Sequence, residues 1–137
     1  MAAGRGCARI GWHPHAVSYD LVFWKSAGST PQEPSVVYDR LANREPVAGV
    51  ATLPIDRFLD ALARVFPGSV REPNGDDEWQ IWEAPDGSRA FETWWSDYHV
   101  ESFCRGLNDD EMNRIIDVAL SFDCRLYDPQ TNERFDG

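Results

Sequence analysis

Lysine is almost missing from this chain: Lys25 is the single example, against twelve arginines. The gain from arginine over lysine at ordinary surface sites is small. The bias therefore reads as the mark of a GC-rich, bacterial genome and not of a function. Long apolar runs are missing too. They extend over a few residues, as in Leu21-Val22-Phe23-Trp24, whereas a membrane-spanning helix needs roughly 20. Arg5 and Arg9 are not followed by the apolar segment of a secretory leader. Cysteine is scarce and odd in number. Cys7, Cys104 and Cys124 show no CxxC spacing, which argues against a disulfide framework or a zinc site. A reduced, cytoplasmic protein with no membrane contact is expected. HExxH, GxGxxG, P-loop and GxSxG motifs are all lacking.

What is present describes one ordinary domain. The 137 residues are 42% hydrophobic and 12% aromatic, enough to bury a core. The net charge is −10 and is unevenly placed. Residues 1–48 hold five Lys/Arg and four Asp/Glu, whereas residues 49–137 hold eight and nineteen. The later two thirds thus carry the acidity. Nucleic-acid sites need a basic patch, so no nucleic-acid partner is expected. The same charge favours solubility, and fast association with a basic protein.

Residues 1–16 are Gly/Ala/Arg-rich without a period of 2 or 3.6. They read as an irregular N-terminal extension lying upstream of the true start, with a single α+β domain over 17–137. A strand opens abruptly at Val17 and runs to Lys25. Pro34 starts a short helix over about 34–43. Pro54 starts a clearly amphipathic one, with Ile55, Phe58, Leu59, Leu62, Val65 and Phe66 on its apolar stripe. Pro67-Gly68 ends it. Residues 71–78 are polar and read as a loop. Pro85-Asp86-Gly87-Ser88 is a turn between strands over 78–84 and 89–96. A third strand covers about 98–105. Asn108, with Glu111 three residues on, is a capping box opening another helix. Leu126-Tyr127 makes a short strand before Asp128-Pro129, and Phe135 marks a small edge element.

This order predicts an antiparallel or mixed sheet of four to five strands with helices packed on one face. A ferredoxin-like two-layer sandwich is the expected topology, with the other sheet face partly open to solvent.

Strand alternation puts Trp79 and Trp82 on opposite faces, and likewise Trp94 and Trp95. Cross-strand packing is the commoner use of such residues. The functional alternative is an aromatic surface flanked by acids, formed by Trp82, Glu83, Glu92, Trp94, Trp95, Asp97 and Glu101. No catalytic residue, metal ligand or cofactor site is expected. His13 and His15 lack a third ligand nearby. His99 and Cys104, five residues apart on one strand, face opposite ways and make no Cys–His pair.

The start Ser18-Tyr19-Asp20-Leu21-Val22-Phe23-Trp24-Lys25 is similar to one shared by many small, uncharacterised bacterial proteins. So is the end, from His99-Val100 through Cys104-Arg105-Gly106-Leu107, Asp110-Glu111-Met112-Asn113-Arg114-Ile115-Ile116-Asp117 and Leu126-Tyr127-Asp128-Pro129-Gln130-Thr131. The resemblance covers roughly residues 17–136 and brings no catalytic residue with it. A looser likeness, in size, acidity and ending, is to immunity proteins that neutralise bacterial toxins. It implies a non-enzymatic, protein-binding role as an inhibitor of a basic toxin. The alternative is a small-molecule binder or enzyme using the Trp/Glu sheet face.

Overall fold

The apolar patterns above translate into three helices and seven strands in a computed structural model that describes residues 18–28 and 32–135. The extension expected over 1–16, with Cys7, His13 and His15, lies outside the described residues. In chain order the elements are β1 (Ser18–Trp24), α1 (Pro34–Ala42), α2 (Ile55–Val65), β2 (Val70–Asn74) and β3 (Asp77–Glu83). There follow β4 (Ala90–Trp95), β5 (Val100–Arg105), α3 (Asp109–Ser121), β6 (Arg125–Asp128) and β7 (Glu133–Arg134). All the strands join one sheet in the order β2-β3-β4-β5-β1-β6-β7, and each neighbouring pair is antiparallel. The fold class is α+β.

The sheet is wider than the four to five strands expected, because the β2 edge was hidden in the sequence and the small edge element near Phe135 adds a strand of its own. β2 reads Val-Arg-Glu-Pro-Asn and has no apolar alternation. It forms because its ladder to β3, from Val70↔Ile81 to Asn74↔Asp77, supplies the pairing. An edge strand tolerates Pro73, whose missing N–H costs nothing on the solvent side. β7 is only two residues long and pairs Tyr127↔Arg134 and Asp128↔Glu133.

One face of the sheet meets α2 and α3. Leu21, Phe23, Phe91, Val100, Cys104 and Leu126 pack there against Phe58 and Leu62 of α2 and Met112, Ile115, Ile116 and Ala119 of α3. The α3 capping box forms in full: Glu111 N donates to Asn108 Oδ1 at 2.8 Å, and Asn108 N donates to Glu111 Oε1 at 3.1 Å. Two polar contacts fix the layer. Gln80 Nε2 donates to the Leu59 carbonyl at 2.9 Å, tying β3 to α2, and Thr93 and Ser102 share a hydrogen bond at 3.0 Å. Gly106 leaves β5 with φ of 71°. A Cβ there would collide with the Ser88 carbonyl oxygen, so glycine alone fits this turn.

The expectation that the helices share one face is corrected by α1. Alternation along β1 turns Val22 and Trp24 away from Leu21 and Phe23. Those two side chains, with Tyr127, form a second core with Val37 and Leu41 of α1 and with Val47 and Val50 beyond it. The connection after α1 is sewn down by Ala51 N to the Lys25 carbonyl and Leu53 N to the Asp97 carbonyl, each 2.9 Å. A two-layer sandwich is therefore not what forms: helices lie on both faces, and α1 covers only the β1, β5 and β6 part of its side.

Candidate functional site

Among the described residues, nothing covers the rest of that second face. Alternation sends Trp79, Ile81 and Glu83 of β3, Glu92 and Trp94 of β4, and Phe103 and Arg105 of β5 to it. The register sets Ile81 beside Glu92, Glu92 beside Phe103, and Phe103 beside Asp20. Trp79 reaches across β4, its ring 5.6 Å from that of Phe103. A shallow depression of about 300 Å³ lies here, with Ile81 and Phe103 on its floor and Glu72, Glu83, Glu92 and Arg105 among its walls. Arg105 comes within 4.0 Å of Glu83, both side chains well exposed. Such a surface pair contributes little. Three carboxylates thus surround an apolar floor with one guanidinium to offset them.

At the margin between the open and covered halves, Trp94 stands half-buried. Its ring centroid lies 5.0 Å from that of His99 in a T-shaped arrangement, and the Arg44 guanidinium lies 5.1 Å from it. Arg44 also pairs with Asp77 at the start of β3.

Beneath α1 runs a buried polar network. Tyr38 donates to Glu101 Oε2 at 2.6 Å. The other carboxylate oxygen lies 3.4 Å from His99 Nε2, in a geometry that makes no hydrogen bond. His99 Nδ1 is 2.6 Å from Ser96 Oγ, which also accepts from Tyr98 N at 3.1 Å. Burial, then the Glu101 hydrogen bond, raises the Tyr38 phenol well above its ordinary value. Asp20 is raised by burial and by the Glu101 and Asp128 charges.

Serine, histidine and carboxylate in sequence invite comparison with a hydrolytic triad. Exposure decides against it: Ser96, His99 and Glu101 are 5%, 0% and 3% accessible. A substrate has no path to them, and the network instead holds α1 and the β4–β5 turn on the sheet. Cys104 faces the other core, and burial raises its thiol above the ordinary value. Among the described residues no group of three His, Cys, Asp or Glu is placed to hold a metal.

Of the seven residues singled out in the sequence, Glu83, Glu92 and Trp94 come together on the open face. Trp82 and Trp95 do not: both pack on the opposite face into the α2/α3 core, Trp82 with its ring 5.1 Å from that of Phe66. Glu101 shares the second face but is covered by Tyr38. Asp97 is exposed in the β4–β5 turn and serves through its carbonyl, which accepts from Leu53. Sequence reasoning missed Ile81, Phe103, Arg105 and Glu72 as a set. The alternation over 98–105 did carry Phe103 and Arg105 to this face, whereas Glu72 sat in a strand with no pattern to show it.

These features define an α+β protein with one aromatic, acid-rimmed sheet face that none of the described residues covers. Compared with known proteins, the chain matches no family model, no curated protein and no solved structure.

Proposed function

We propose that this chain is a non-enzymatic protein-binding domain whose open sheet face docks a basic protein. The observation that carries the reading is the depression itself, an Ile81/Phe103 floor walled by Glu72, Glu83 and Glu92. Apolar floor and charged rim are the anatomy of a protein interface. Its carboxylates steer a cationic partner inward and repel a phosphate backbone. The shallow form suits a side chain from a broad surface better than an enclosed metabolite. Among the described residues, no serine, histidine or cysteine lines it.

The partner named here is a basic toxin that the chain inhibits. Support comes from the acidity and size shared with immunity proteins and from the resemblance to small bacterial proteins. Action in the cytoplasm accords with Cys104 and Cys124, both buried and unpaired.

The test is affinity capture from the native host with the wild type and with the double variant Glu83→Gln/Glu92→Gln. A basic protein retained by the wild type and lost by the variant supports the reading. Equal retention by both, or a small ligand that raises the melting temperature while no protein is retained, overturns it.

A further inference from the structure

Arg44 occupies the first turn beyond α1 with φ of 61°, a region that non-glycine residues enter rarely. Its guanidinium rests over the Trp94 ring, 5.1 Å from the centroid, and pairs with Asp77. Arg44 and Asp77 side chains remain 48% and 44% exposed. A planar cation over an indole, held against a carboxylate, is the arrangement by which proteins recognise arginine. Trp94 lies beside the depression, because its β4 neighbour Glu92 forms part of that wall.

Resting on the docking reading above, we infer that the Trp94–Asp77 notch is an arginine subsite. In the free protein Arg44 fills it. On docking, an arginine of the basic partner takes its place. The exchange swaps one guanidinium for another, so neither Trp94 nor Asp77 loses a cation. Arg44 sits on an exposed turn and returns to water without opening either core. The strap that follows α1 therefore carries an internal competitor for the site it borders.

Arg44→Gly tests this, since glycine keeps the left-handed backbone without strain and removes the guanidinium. Arg64→Gln removes the same charge from α2, on the far side of the sheet, and controls for net charge. Heptaarginine is titrated against the wild type, both variants and Glu83→Gln/Glu92→Gln, following tryptophan fluorescence and heat. Arg44→Gly is expected to bind roughly threefold to tenfold tighter than the wild type, the scale of one freed cation–π site. Arg64→Gln is expected to stay nearer the wild type. Arg44→Gly binding no tighter than Arg64→Gln overturns the inference, and Arg44→Gln gives the same comparison should the glycine variant unfold early. Binding that Glu83→Gln/Glu92→Gln leaves intact overturns the docking reading alone, whereas no binding by any protein overturns both.

Discussion

Tyr38 of α1 donates its phenolic proton to Glu101 of β5 at 2.6 Å, across the interface that seats α1 on the sheet. Glu101 is 3% exposed, so this bond lies away from solvent. Tyr38→Phe should cost about 2 kcal/mol, the range for losing a charge-assisted bond to a buried group. Glu101→Gln keeps an acceptor and should cost less. Urea unfolding of the two variants checks the order, with the slope of the transition unchanged in both.

Asp20 has a pH signature. Its carboxyl is raised by burial first, then by the Glu101 and Asp128 charges. The folded chain therefore holds this proton at pH values where the unfolded chain has released it. Stability from this group falls as pH rises through that window and is regained on acidification. Asp20→Asn should be at least as stable as the wild type at neutral pH. Its advantage should shrink as pH falls below the folded value. Thermal melts across the acid range measure both curves.

Asn108 and Glu111 separate two roles at the start of α3. Asn108→Ala removes the cap and should cost about 1 kcal/mol. Glu111→Ala should cost more, because its carboxylate also receives Arg89 Nε at 2.9 and 3.0 Å, tying α3 to the start of β4. Chemical denaturation ranks them. Equal losses would show that the Arg89 pair adds nothing.

The same capping residues show how far sequence reaches here. Asn108 and Glu111 form a purely local pattern, and the pattern was enough. The amphipathic stripe of α2 and the alternation that split Trp79 from Trp82 were equally local. What escaped depended on partners distant in the chain. β2 is a strand because β3 pairs with it, not because Val-Arg-Glu-Pro-Asn favours one. α1 changed sides because Val22, Trp24 and Tyr127 needed cover, and a short helix with two buried side chains does not announce which face it will take. For the site, Glu83, Glu92 and Trp94 were legible from alternation. Trp82 and Trp95 had to wait for the helices to claim their face. Glu101 had to wait for Tyr38.

The central claim is that the open face, and not the helical one, receives a basic partner. Amide and indole shifts of the isotope-labelled protein, titrated with heptaarginine at about 0.15 M salt to screen distant charges, test it most directly. The account predicts shifts centred on Arg44, Asp77, Glu83, Glu92, Trp94 and Phe103, on the open face and its margin. Shifts centred on Val65, Arg114 and Val118 of the α2–α3 surface, or none at saturating peptide, would contradict it.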